Sequence, residues 1–170
     1  MPLLRRGRIE DDVWTPVGEG QEPPERGAIL VCLDRFRADH ERLLAGDCAL
    51  GVSLANTDDP AEILPWISRI SLIVLEFPKY TDGRAFSQAQ LLRRRYGYAG
   101  EIRATGQVLR DQLRLMIRTG FDSMLIDEAD AEAVYQLSAA ELSEAYQAAS
   151  DSSEAVFIKR QRARQVSADQ

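Results

Sequence analysis

Residues 76–84, Glu76-Phe77-Pro78-Lys79-Tyr80-Thr81-Asp82-Gly83-Arg84, put two cations, two carboxylates and a phenol into one stretch. It follows the most apolar run of the chain, Ser71-Leu72-Ile73-Val74-Leu75, and precedes a helical pattern from about Ala85 to Tyr96. The stretch therefore reads as a strand-to-helix loop. The free N–H groups of a helix's first turn attract anions. Lys79 and Arg84 could hold a small oxyanion there, Arg84 through a bidentate fork. Glu76 and Thr81 would line the same site, and Tyr80 or Asp82 could move protons. A plainer use exists for the same residues. Asp82 or Thr81 can cap the helix, Gly83 permits the turn, and the charges are solvated. The next strand-to-helix loop, Arg103 to Gln112, lies beside the first if their strands are neighbours. Arg103, Gln107 and Gln112 would then extend the polar pocket. Arg114 and Arg118 read as a solvated helix face with local ion pairs, and Asp111 stands between the two readings.

Other chemistries are excluded by what the chain lacks. Its Gly-x-Gly, Gly18-Glu19-Gly20, sits outside any strand-to-helix turn, so there is no dinucleotide fingerprint. There is no Gly-Lys-Ser/Thr phosphate loop. One histidine, His40, and two separated cysteines, Cys32 and Cys48, argue against zinc or iron–sulfur ligation, so no metal site is expected. Cys32 lies in an apolar run and reads as packing; His40 reads as a surface residue. No cofactor is evident, although a flavin held without a recognisable motif stays open. With 21 Lys+Arg against 27 Asp+Glu, the net charge of −6 disfavours nucleic acid and membrane surfaces as partners. No apolar run approaches the ~20 residues of a membrane span. The start, Met1 to Arg8, has charge without an apolar stretch behind it, so no signal peptide is expected. Two cysteines are too few for a disulfide scaffold, which points to a reduced, cytoplasmic protein.

The elements that must position the loop lie in the middle of three zones. Residues 1–26 read as an N-terminal hairpin turning near Gly7, followed by a Gly- and Pro-rich linker. Residues 27–149 read as a single α/β domain, and 150–170 as a loose basic tail carrying Lys159, Arg160, Arg162 and Arg164. In the domain, apolar runs at 28–33, 49–54, 71–75, 101–105 and 123–127 predict parallel strands, with 71–75 interior. Helices are expected over about 35–44, from Asp59-Pro60, over 85–96, 108–119, 129–136 and 139–148. Asp59 can cap, with Glu62 completing a capping box, while Pro65 interrupts. Gly120 should stop its helix. This alternation predicts a five-stranded, mostly parallel sheet with helices on both faces. The alternative is a partial β/α barrel with every helix on one face.

The loop Phe77 to Ala89 resembles the signature of an uncharacterised bacterial family, domain of unknown function 934, often labelled an oxidoreductase involved in sulfite reduction. Leu91-Leu92-Arg93, Tyr96-Gly97-Tyr98, Gly100 to Ala104, Val108 to Gln112 and Gly120-Phe121-Asp122 continue the resemblance. It implies a place in sulfur assimilation, toward cysteine biosynthesis, beside the sulfite reductase haemoprotein. It implies no catalytic residues. The label sits against the residues, because oxidoreductases need a redox carrier and the motifs for one are missing.

Two functions follow. One is an accessory protein that docks on the sulfite reductase haemoprotein or its electron donor, presenting Lys79 and Arg84 or the basic tail; a tail docked across a neighbouring subunit would make it a homodimer. The other is an enzyme acting on a small oxyanion, with Lys79, Tyr80, Asp82 and Arg84 in the pocket.

Overall fold

All five apolar runs form strands that lie side by side and parallel, but they are not alone in the sheet. The computed structural model describes residues 2–127 and 130–140; the helical stretch expected beyond 140 and the 150–170 tail lie outside them. Three short strands open the chain: β1 (Leu3–Arg5), β2 (Arg8–Glu10) and β3 (Trp14–Pro16). The expected runs follow as β4 (Ala28–Cys32), β5 (Ala49–Leu54), β6 (Ile70–Phe77), β7 (Glu101–Gly106) and β8 (Ser123–Leu125). Together they make one eight-stranded sheet in the order β2-β1-β8-β7-β6-β5-β4-β3. Strands β3 to β8 pair in parallel, and the β1–β2 hairpin adds antiparallel to β8. The interior position of β6 follows from its composition: Leu72, Ile73, Val74 and Leu75 are all at most 3% exposed.

Five strands with helices on both faces is therefore corrected. From β3 to β8 the spatial order is the chain order, with no reversal. Right-handed crossovers between successive parallel strands put every helix on the same side. The packing agrees. Helices α1 (Leu33–Ala45), α2 (Arg84–Gln90), α3 (Leu113–Thr119) and α4 (Ala131–Ala140) bury Phe36, Ala89, Met116 and Val134 in one cluster. That cluster holds Ile29, Val52, Ile73 and Ile102 from the sheet, one face only. Leu3, Leu72 and Val74 are buried on the opposite face, outside the cluster.

The sheet is a curled half-barrel. Only residues 11–13 join β2 at one edge to β3 at the other. That link spans about 14 Å at full extension. Eight strands laid flat would separate their outer edges by roughly 34 Å. The edges must bend toward each other, and the link crosses the concave face.

Local chemistry explains the smaller departures. Asp59 accepts from Ala61 N at 2.9 Å, as a cap should, but Pro60–Arg69 winds as a 3₁₀ helix. Pro65 lacks the N–H that an α-helix needs there. Glu62 closes no capping box; its carboxylate takes two bonds from Arg37, at 2.7 and 2.8 Å. α2 loosens into a π-turn over Leu91–Arg95. Gly120 ends α3 at φ +105°, a left-handed conformation suited to glycine. Cys32 is not packed in the core: it is exposed, at the end of β4. His40 is half-buried, its ring 4.5 Å from that of Trp66.

Candidate functional site

β6 ends on the fully buried Phe77, so the loop that follows starts from a packed point at the carboxyl rim of the sheet. The neighbouring strand β7 ends on Gly106, at φ +90°. A Cβ there would lie 2.3 Å from the Phe77 carbonyl oxygen, so only glycine lets the two loops approach. Gln107 N then donates to that carbonyl at 2.7 Å. Tyr80 is gripped through its backbone on both sides. Its N–H donates to Gln107 Oε1 at 3.2 Å, and its carbonyl accepts from Gln112 Nε2 at 2.8 Å. The two loops thus form one tied rim.

The charges on this rim are unevenly committed. Arg84 folds back on Asp82, with Nε to Oδ1 at 3.0 Å and an Nη to Oδ2 at 2.6 Å. The Arg84 backbone N–H adds a bond to Oδ1 at 3.2 Å, an Asx turn that opens α2. Asn56 Nδ2, from the loop after β5, donates to Asp82 Oδ2 at 2.6 Å. The Arg84 side-chain bond above all, then its N–H, with Asn56 adding the least, hold the Asp82 carboxyl at about 2, well below its ordinary range. The guanidinium is correspondingly pushed up. Asp82 is therefore a fixed carboxylate at neutral pH, and the Arg84 fork is already filled. Lys79, Tyr80, Thr81 and Glu76 are exposed. The Lys79 ammonium and the Tyr80 hydroxyl contact no partner among the described residues. Gln88, buried on α2, ties down a third loop by donating to the carbonyls of Ala55 and Asp58, both at 2.8 Å.

Arg103 is not brought to this rim. It points from β7 into the concave face, 2% exposed. Its guanidinium bonds both oxygens of Asp12 at 2.9 Å and Glu101 Oε1 at 3.0 Å. Ser123 Oγ donates to the same Glu101 oxygen at 2.6 Å, and Arg5 pairs with the other at 3.1 Å. Asp12 belongs to the link across the concave face, so this network pins the two edges of the half-barrel together. Sequence reasoning missed Asp12, Glu101 and Ser123. Glu101-x-Arg103 was the available signal, since residues two apart on a strand share a face. Asp111 is also elsewhere, exposed beside α3 and α4.

The remaining signature residues converge at the opposite end of the sheet. Arg93 donates to the carbonyls of Gly120 (2.9 Å), Tyr98 (2.7 Å) and Gly100 (2.8 Å), and pairs with Asp122. Asp122 Oδ2 also accepts from Ile102 N at 3.0 Å. The Tyr98 ring lies under the guanidinium, and burial pushes its phenol well above the usual tyrosine range. Arg93, Tyr98, Gly100, Gly120 and Asp122 thus form a clamp at the start of β7 and β8. Among the described residues, no group of three or more His, Cys, Asp or Glu is arranged to hold a metal ion, and no helix is long and apolar enough to cross a membrane.

Fold and rim together define a mixed α/β half-barrel with polar loops at its carboxyl end. The model of the family described as "Bacterial protein of unknown function (DUF934)" matches residues 51–157, and the chain belongs to that family. The match takes in β6, the whole 77–84 loop and the Arg93 clamp. No curated protein matches the sequence.

Proposed function

We propose that this protein is a cytoplasmic accessory protein of assimilatory sulfite reduction that docks on the sulfite reductase haemoprotein or its electron donor. The observation that carries the docking is the division of charge on the rim. Asp82 and Arg84 neutralise each other and shape the loop, while Lys79 and Tyr80 stand exposed on a backbone held by Gln107 and Gln112. A general acid or base needs a proton affinity near the working pH, and Asp82 is far from it. An exposed cation beside an exposed aromatic suits recognition of a partner surface instead. The link to sulfite reduction rests on the family resemblance.

The test is calorimetry of the full chain against purified sulfite reductase haemoprotein and, separately, its reductase. Binding to one is expected, with Lys79→Glu/Tyr80→Ala weakening it at least tenfold. If the wild type binds neither protein, the proposal fails. A second reading, a small-oxyanion enzyme, draws its support from the uncommitted Lys79 ammonium. Sulfite or sulfate binding in low salt, lost in Lys79→Ala/Arg84→Ala, would favour it.

A further inference from the structure

The described residues hold six large apolar side chains that are substantially exposed, and three of them, Leu109, Leu115 and Leu137, gather around α3 and α4. Single exposed leucines are ordinary, but a cluster of them is not. Leu109 and Leu137 are 40% and 59% exposed and line a groove of about 550 Å³ with Val134. Arg110, Asp111 and Arg114 form its other wall. A smaller hollow of about 190 Å³ continues from Asp111 and Arg114 to Leu115 and Arg118.

The arginines at 110, 114 and 118 recur every four residues, so they form a row along one side of the short 3₁₀ turn Arg110–Gln112 and α3. The side chains of Arg110 and Arg114 make no hydrogen bond or ion pair with a described residue. A protein of net charge −6 thus places the cations of Arg110 and Arg114, with the one carboxylate of Asp111, beside exposed leucines.

We propose that this groove is a docking site for an acidic amphipathic segment of a partner protein. Its apolar side chains sit on Leu109, Leu137 and Leu115, and its carboxylates meet Arg110 and Arg114 through charge-assisted bonds. The charge pattern selects this occupant. A second copy of the chain, docked groove to groove about a two-fold axis, would bring two arginine rows together, and like charges across an interface are costly. Nucleic acid would use the cations but gain little from leucines, since single strands are held by aromatic stacking. The groove shares no lining residue with the 77–84 loop, although Leu109 to Asp111 lie between Gln107 and Gln112, which hold Tyr80; the proposal rests on its own leucines and arginines, whether or not the docking by that loop is correct.

Site-specific photo-crosslinking in the full chain, expressed in cells, tests this. Leu137→p-benzoylphenylalanine places the crosslinker in the groove, and mass spectrometry identifies the captured peptide. The expected product is a segment of a different protein that carries net negative charge and apolar residues at helical spacing. Its yield should fall at least tenfold in Arg110→Glu/Arg114→Glu, whose melting temperature should stay near wild type because neither side chain hydrogen-bonds or ion-pairs with a described residue. Leu109→Ser, a second variant, should reduce capture without touching charge. A crosslink to a second copy, to residues 141–170 of the same chain or to a basic or uncharged segment would overturn the proposal. So would capture that ignores the charge reversal, or no capture at all.

Discussion

Arg93→Met removes a guanidinium but keeps an unbranched stem to pack over Gly120, which isolates the polar part of the clamp. The wild-type side chain is 15% exposed, and its partner Asp122 is 21% exposed. Removing one member of a buried ion pair typically costs ~3–5 kcal/mol, because the other charge stays buried without its partner. Partial exposure of both groups puts this pair at the lower end, about 3 kcal/mol. A separate route agrees. Three bonds from the guanidinium to carbonyls disappear. At about 1.5 kcal/mol each for charged donors that is roughly 4.5, from which water entering the vacated space recovers part. For a chain of this size, 3 kcal/mol lowers the melting temperature by roughly 6–12 °C. Urea denaturation followed by circular dichroism should show a lower midpoint with unchanged slope. Asp122→Asn keeps an acceptor for the Ile102 amide and removes the charge. In the double variant the two losses should fall short of additive by at least ~1 kcal/mol, as they do for residues in direct contact. A loss below ~1 kcal/mol for Arg93→Met, or strict additivity, would refute the clamp.

Arg103→Ala should cost a similar ~3–5 kcal/mol, since the Arg103 and Glu101 side chains are 3% and 8% exposed, whereas Asp12→Ala should cost less, about 2 kcal/mol, because Asp12 is 37% exposed and the buried Arg103 keeps Glu101; urea midpoints of both variants check the contrast. Gly106→Ala forces a Cβ to within 2.3 Å of the Phe77 carbonyl at a φ of +90°. Positive-φ strain of about 1–2 kcal/mol plus loop displacement predicts a total of roughly 2–4 kcal/mol, read from the same melts. The Asp82 carboxyl should titrate near pH 2 by carbon NMR. Because its folded value is depressed, its contribution to stability is complete above the ordinary carboxyl range and is lost as pH falls through about 2; in Arg84→Ala the midpoint should return toward the ordinary value. Lys79→Ala and Tyr80→Ala should each leave the melting temperature unchanged within about 1 °C, since both are exposed and neither head group hydrogen-bonds or ion-pairs with a described residue.

The 77–84 loop was legible because its signals are local. An apolar run ends at Phe77, glycine and aspartate turn the chain, and a helix begins two residues after Asp82, where the Asx turn forms. The parallel strands were legible for a similar reason, since continuous apolar character marks burial on both faces. Gly120 as a helix stop needed only its own backbone preference. What the local signals left open was the partner of each charge. The loop pattern of Arg84 is equally that of an anion ligand, yet its guanidinium is taken by Asp82, which Asn56 steadies from 26 residues away. Arg103 was expected at the rim, but the alternation along β7 turns it to the other face. There it meets Asp12, 91 residues distant, across a link that only sheet curvature brings close. The choice between helices on one face and on both was likewise tertiary. A right-handed crossover has the same local sequence in either arrangement, and strand order alone decides on which side successive helices fall.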